Sequence, residues 1–93
     1  MTDSEEDKYL SELSGWVVLR EGTHKLQKEF KFQKYLDGVN FVRDAATIAD
    51  SEDHHPDIHL FYKKVNIELH THAVNGLSLN DFILAAKFDE IKA

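Results

Sequence analysis

Residues 56–70 read PDIHLFYKKVNIELH, and this stretch decides the fold class. Ile58, Leu60 and Tyr62 recur at two-residue steps, and the same two-residue period returns over 65–69. Such alternation is typical of strands that have one face in a core and the other in water. A tight turn near Lys63 would divide the stretch into two strands, although one long bent strand fits the same pattern.

The segment before this stretch has a helical period. Between residues 35 and 50, apolar side chains recur at three- and four-residue steps, which predicts the longest helix of the chain. Pro56 is the only proline. The helix is expected to end before it, because proline lacks an N–H and restricts the preceding residue. His54 and His55 then lie in the connection between helix and strand.

The amino-terminal third supplies a helix and two further strands. Apolar spacing over residues 3–13 predicts a short amphipathic helix that ends before Gly15. The acidic composition of residues 1–7 also makes them a candidate for disorder. Residues 16–19 and 25–32 are rich in aliphatic and aromatic side chains on either side of a hairpin connection.

The carboxyl-terminal segment predicts a last helix. Ser78 is a candidate N-cap, and Asp81 follows it at the capping-box spacing. Phe82, Ile83 and Ala86 are expected to face the core. The order is α-β-β-α-β-β-α, and strands joined by short turns favour an antiparallel sheet that the apolar stripes of the helices can cover. The sequence therefore predicts one α+β domain over residues 1–93.

Composition excludes several classes of function. With 17 acidic and 11 basic residues, the formal net charge is -6, which argues against direct nucleic-acid binding. The absence of cysteine removes disulfides, thiolate metal ligands and cysteine nucleophiles. The amino terminus does not resemble a secretory signal, and no stretch approaches the roughly 18 apolar residues of a spanning helix. We expect a cytoplasmic protein without a membrane partner.

Histidines are the main candidates for chemistry. There are six in 93 residues, and most fall between His54 and His72. An imidazole titrates near neutrality, so several that converge on one ligand can donate and accept protons. This suits the addition or elimination of water. A histidine taken singly is more often exposed or structurally satisfied, and we leave His24 and His59 with that interpretation. Asp81 alone would be interpreted as a helix cap.

A metal site is the competing interpretation of the same histidines. His55 and His59 are four residues apart, and His70 and His72 are two apart. The four-residue spacing aligns ligands only on a helix, which Pro56 disfavours. The two-residue spacing needs a continuing strand and a third ligand. We therefore predict no metal.

An ordered set of residues resembles the pterin-4a-carbinolamine dehydratase family. It consists of His54-His55-Pro56-Asp57, Tyr62, Val65, Ile67, Leu69, Thr71-His72, Gly76-Leu77-Ser78 and Asp81. Comparable residues at Leu13, Gly15-Trp16, Phe30, Phe32, Phe41 and Ala49 extend the resemblance over nearly the whole chain. A lone His-His-Pro would be weak evidence, whereas the ordered set is specific.

The resemblance implies a fold, a reaction and partners. The fold is a four-stranded antiparallel sheet with three helices packed on one face, assembled into a homodimer or homotetramer. The reaction removes water from 4a-hydroxytetrahydrobiopterin to give the quinonoid dihydropterin, as a hydro-lyase in tetrahydrobiopterin recycling. The pterin comes from an aromatic amino-acid hydroxylase, which is a functional partner. No metal or organic cofactor takes part.

The resemblance also implies which residues form the site. The catalytic histidines are His54, His55 and His72. The substrate-binding set is Asp53, His54, His55, Pro56, Thr71, His72, Ala73, Val74 and Asp81. Asp50 stands where the family usually has glutamate. We leave Asp50 out of the site because its shorter side chain is not expected to reach the same partner.

Two other functions remain open at this point. Some members of the family are dimerisation cofactors of a homeodomain transcription factor, so the chain could be a non-catalytic binding module. It could also dehydrate a different pterin. An interaction module has no need of three histidines and a carboxylate in register, and this favours an enzyme.

Overall fold

The computed structural model describes residues 1–92, which form three helices and four strands. The elements are α1 (Asp3–Leu10), β1 (Val17–Leu19), β2 (Lys25–Lys31), α2 (Tyr35–Ser51), β3 (Asp57–Leu60), β4 (Lys64–Leu69) and α3 (Leu79–Asp89), with a 3₁₀ turn at His72–Val74. This order confirms the predicted α+β arrangement. The alternating stretch 56–70 forms two strands, because the Phe61 N–H donates to Lys64 O at 2.8 Å and closes a turn there.

The four strands form one antiparallel sheet in the order β1-β2-β4-β3. Strands β2 and β4 are central, with Leu26 opposite Leu69 and Phe30 opposite Val65. Because side chains alternate across a strand, these residues share one face. The three helices cover that face, and charged residues dominate the other. Hydrophobic alternation thus sets the register, since a slip by one residue would turn the apolar set towards water.

The core lies between the sheet and the helices. Strand β4 contributes Val65, Ile67 and Leu69, all fully buried, and burial of each such side chain stabilises the fold by about 1.5–3 kcal/mol. Helix α2 lies close to the sheet at Gly38, where an added Cβ would come within 3.4 Å of Leu60 Cδ1. Gly38 is the fourth residue of α2, and the helix packs directly on β3 there.

Helix α3 corrects one prediction about the core. Ile83, expected to face inward, is 41% exposed. The buried residues include Asp81, Leu84, Ala85 and Phe88, at the i, i+3, i+4, i+7 spacing of one helical face. Phe82 is buried as predicted. The carboxylate of Asp81 is therefore part of the buried face, and Ile83 lies on the opposite side of the helix.

Helix α1 is fixed by polar contacts as well as by apolar packing. Residues 3–7, whose composition leaves disorder open, are helical behind a capping box between Thr2 and Glu5. The Thr2 N–H donates to Glu5 and lowers the pKa of that carboxyl group. Glu6 is 1% exposed and accepts hydrogen bonds from Arg20 at 3.1 Å and from His24 at 2.8 Å.

These contacts give Arg20 and His24 their structural roles. Hydrogen bonds to Asp7, which has the larger effect, and to Glu6 raise the pKa of the Arg20 guanidinium. The contact with Glu6 confirms the interpretation of His24 as structurally satisfied. None of the helices between residues 1 and 92 has the length and apolar character that crossing a membrane requires.

Candidate functional site

The topology brings the two histidine-containing segments together. Strands β3 and β4 are antiparallel neighbours with Asp57 opposite Glu68, so the start of β3 lies beside the end of β4. Residues before β3 therefore meet residues after β4. They enclose a cleft of about 350 Å³ lined by Asp53, His54, His55, His70, Thr71, His72 and Ala73. A cleft of this size is at the lower end of the range for small-molecule sites.

The end of α2 fixes the position of His54. Asp53 has φ 49°, in the left-handed region. The N–H of Asp53 donates to Asp50 O at 3.1 Å, and the N–H of His54 donates to Ala49 O at 3.1 Å. These two bonds form a Schellman motif, the usual way of ending a helix. Glycine is the common residue at the left-handed position, so an aspartate there is held in a strained conformation at the wall of the cleft.

Asp81 holds His54 from below the cleft. Its side chain is fully buried, and its Oδ1 lies 2.6 Å from His54 Nε2. Its Oδ2 accepts hydrogen bonds from the Thr71 hydroxyl at 2.8 Å and the Ser78 N–H at 2.9 Å. The carboxylate is therefore both the helix cap that its spacing predicts and the orienting partner of a histidine.

The hydroxyl protons of this network have a single arrangement. Thr71 has one proton and donates it to Asp81, so the Ser78 hydroxyl must donate to Thr71 Oγ1, which lies 2.7 Å away. The sequence predicts Thr71 as a site residue and Ser78 only as a helix cap. A carboxylate that receives three hydrogen bonds has little freedom to move, and His54 is held in turn.

His55 has its own carboxylate on the surface. Its Nε2 lies 3.1 Å from Asp50 Oδ1. Both side chains are more than half exposed, so water screens this contact and it orients the ring more than it stabilises the fold. Asp50 thus contacts a cleft histidine, although Asp50 does not itself line the cleft.

The loop after β4 places His72 at the same cleft as His54. Thr71 and Gly76 exchange backbone hydrogen bonds, with the Thr71 N–H donating to Gly76 O at 2.7 Å. Inside the loop, the Val74 N–H donates to Thr71 O at 3.2 Å. The first N–H groups of a helical turn have no partner within it, so those of His72 and Ala73 remain available to a ligand.

Three residues of the predicted binding set do not lie on the cleft wall. Asp81 is buried and contacts His54, Val74 is 59% exposed, and Pro56 precedes β3, and the cleft lining includes none of the three. His70 lines the cleft, although it is absent from the predicted set. The signal that pointed to it was its two-residue separation from His72.

Potential metal ligands gather at a different group of residues. Among residues 1–92, the one group of three histidine or carboxylate side chains with ligand atoms within 4.8 Å of one another is Asp3, Glu6 and His24. Arg20 contacts Glu6 at 3.1 Å, and its positive charge opposes a second cation there. The cleft histidines are not part of this group.

Comparisons with known proteins agree on one family. A family model described as pterin 4 alpha carbinolamine dehydratase matches residues 1–91. A protein of Saccharolobus solfataricus with the provisional name of pterin-4-alpha-carbinolamine dehydratase is 45% identical over 90% of this chain and 88% of its own length. Pterin-4-alpha-carbinolamine dehydratase 2, mitochondrial, of Arabidopsis thaliana is 40% identical over 99% of this chain, which spans 50% of that protein.

Solved structures share the fold. A protein of Brucella melitensis, titled transcriptional coactivator/pterin dehydratase, has a TM-score of 0.90 and 31% identity over 96% of this chain and 94% of its own. A pterin dehydratase-like protein titled a RuBisCO assembly factor in the alpha-carboxysome has a TM-score of 0.69 over 81% of this chain and 86% of its own. The second is 24% identical, and it shows the fold alone.

Proposed function

The chain belongs to the pterin-4a-carbinolamine dehydratase family, and from that premise we propose that it removes water from a 4a-hydroxytetrahydropterin to give the quinonoid dihydropterin. One observation carries the proposal: His54, His55 and His72 converge on a single cleft, and a buried carboxylate holds the first of them. The reaction requires proton transfer at two neighbouring atoms, and imidazoles can perform both transfers near neutral pH.

The elimination balances without an added reagent. The C4a–O bond breaks, and the leaving hydroxide takes a proton to become water. The N5–H bond breaks, its proton goes to a base, and the electron pair on N5 forms the C4a=N5 double bond. One acid and one base on opposite sides of the C4a–N5 bond are sufficient, and no electron leaves or enters the pterin.

His54 is suited to move a proton at Nδ1. Its Nε2 faces Asp81 Oδ1 at 2.6 Å, and a carboxylate in this position favours the tautomer with the proton on Nε2. Nδ1 is then free to accept a proton from the pterin and to release it again. The same division of tasks between a buried carboxylate and an imidazole operates in serine hydrolases.

His55 and His72 supply the remaining groups. Both are exposed at the cleft, so they can exchange protons with solvent after each turnover. The amide edge of a pterin presents donors and acceptors in a fixed row, which the backbone groups of His72 and Ala73 and the side chain of Asp53 can bind. We propose no metal or organic cofactor for any of these steps.

The proposal extends to the physiological substrate, the assembly and the cellular location. We propose that the substrate is 4a-hydroxytetrahydrobiopterin from an aromatic amino-acid hydroxylase, that the chain forms a homodimer or homotetramer, and that it acts in the cytoplasm to recycle tetrahydrobiopterin. The Brucella melitensis protein also has coactivator in its title, which supports a binding module as the second candidate. The carboxylate-held histidine in an open cleft favours the enzyme.

The proposal is tested by measuring how fast freshly generated 4a-hydroxytetrahydropterin disappears with and without the protein. Dehydration proceeds spontaneously, so the protein-free rate is subtracted at each pH. We expect a rate that increases in proportion to protein concentration and saturates with substrate. A rate equal to the protein-free reaction at every protein concentration would contradict the enzyme and leave the binding module.

A further inference from the structure

The four histidines of the cleft differ in what orients their rings. Asp81 contacts His54 at 2.6 Å, and Asp50 contacts His55 at 3.1 Å. Within residues 1–92, no carboxylate lies within ion-pair distance of His72 or His70. These two rings instead contact each other, with centroids 4.3 Å apart and planes at 62°.

His70 is the better fixed of the two. It follows the fully buried Leu69 at the end of β4 and precedes Thr71, whose backbone is bonded to Gly76. Its backbone is therefore held on both sides, and the residue is half-buried. His72 begins the 3₁₀ turn and is exposed. A side chain whose backbone is held in place can orient a more mobile neighbour. His70 can therefore orient His72, whereas His72 is not placed to orient His70.

An edge-to-face ring contact orients an imidazole differently from a carboxylate. It restricts the plane of the ring through packing and the quadrupoles of the two rings. Within residues 1–92, neither ring nitrogen of His72 forms a hydrogen bond, so both can bind a ligand. This difference matters for a group that must accept a proton from one side and return it on the other.

We propose that His70 is a positioning residue that holds the ring of His72 over the cleft. The inference rests on the proposed function, because it gives His72 the proton-transfer role described above. His70 acts through its ring contact with His72 and not through hydrogen bonds of its own. The protein thus uses two devices to order its site histidines: carboxylates for His54 and His55, and a second imidazole for His72.

The kinetic test compares two substitutions at position 70. His70→Ala removes the contact and is expected to lower kcat about three- to tenfold, with a smaller change in KM. This is the factor by which the energy of one aromatic pair would increase the fraction of molecules with the His72 ring in place. His70→Phe keeps a ring and is expected to stay within about twofold of the parent. His59→Ala is the matched control, since His59 is an exposed histidine on β3 that lies outside the cleft.

Two kinetic outcomes would overturn the proposal. If His70→Ala turns over like the parent, the contact does not position His72. If His70→Phe is as slow as His70→Ala, the ring nitrogens of His70 matter and it contacts the pterin directly. When His72 is already alanine, removal of His70 is expected to have no further effect, because the two residues act as one unit.

An NMR measurement keeps this inference separate from the proposed function. The ring signals of His72 are followed in protein labelled at histidine. In His70→Ala, they are expected to move towards those of a free imidazole, while in His59→Ala they stay in place. Unchanged His72 signals in His70→Ala would overturn the positioning role whatever the turnover. A parent protein without dehydratase activity would instead contradict the proposed function and leave the ring contact measurable.

Discussion

Replacing Asp81 by asparagine should disable His54 without unfolding the protein. The buried carboxylate accepts hydrogen bonds from His54, Thr71 and the Ser78 N–H. Asparagine has one oxygen, which can keep the bonds from Thr71 and Ser78. Its NH₂ group then faces His54 Nε2 and forces that nitrogen to accept a hydrogen bond. The proton moves to Nδ1, and the atom that should accept a proton from the pterin becomes a donor.

The size of the effect follows from these contacts. Loss of a positioned acid or base typically slows turnover about 10²- to 10⁴-fold, and the remaining histidines make the lower end the expectation here. All three contacts persist as hydrogen bonds between neutral groups, which are weaker than those to a carboxylate, so Asp81→Asn should lower the free energy of unfolding by about 1–3 kcal/mol. Asp81→Ala should lower the stability further, because it leaves the partly buried Ser78 N–H and Thr71 hydroxyl without the carboxylate that accepts from them.

Dehydration kinetics and thermal unfolding of the same samples measure the two effects. Nitrogen NMR of the His54 ring reports the tautomer directly. The matched control is Asp44→Asn, which makes the same change at an exposed position of α2. If folded Asp81→Asn turns over within about twofold of the parent, a change far below the loss of a positioned base, the carboxylate does not set the state of His54, and the assignment of His54 as a proton-transfer group is wrong.

Three further predictions address the metal, the assembly and helix α1. Elemental analysis of active protein should find no stoichiometric metal, and a chelator should leave turnover unchanged; activity lost with zinc and restored by it would contradict the acid-base account. Sedimentation at micromolar concentration should show at least a dimer, since edge strands and an open sheet face are available to a second copy; a fully active monomer would refute this. Glu6→Ala should lower the free energy of unfolding by about 2 kcal/mol, because it removes a buried acceptor of charged hydrogen bonds, and turnover per folded molecule should not change; equal stability in denaturant titrations would show that α1 is held by apolar packing alone.

The sequence predicts the type and bounds of an element correctly where a single hydrophobic period dominates the segment. The two-residue alternation over 65–69 predicts β4, and the helical steps after Tyr35 predict α2 to within one residue of its end at Ser51. Both patterns persist because one face of each element is buried in the core. The sequence leaves a turn near Lys63 and one long bent strand as alternatives, and the hydrogen bond from the Phe61 N–H to Lys64 O shows the turn.

The sequence does not predict the orientation of a helix correctly where a polar residue lies on its buried face. Apolar character places Ile83 in the core, but α3 carries apolar residues on more than one side, and its buried face is the one that contains Asp81, Leu84 and Phe88. No periodicity distinguishes a carboxylate that caps a helix from one that also holds a histidine 27 residues away in sequence.

The position of His70 in the cleft is a second feature that the sequence pattern does not predict. Strand alternation assigns it to the wet face, as the polar neighbour of Leu69. The chain turns after Leu69 into the loop closed by Thr71 and Gly76, and this turn brings His70 into the cleft beside His72. The contact depends on the path of the loop, which a pattern of polar and apolar residues does not encode.

The measurement closest to the central claim is the turnover of a variant in which His54, His55 and His72 are all alanine. Circular dichroism first shows that the variant is folded, and the protein-free rate is subtracted from every trace. We predict that dehydration of 4a-hydroxytetrahydropterin falls to the protein-free rate in this variant, while His24→Ala, which removes a contact with helix α1, turns over nearly as fast as the parent. A folded triple variant that still accelerates dehydration like the parent would show that these histidines are not the catalytic set.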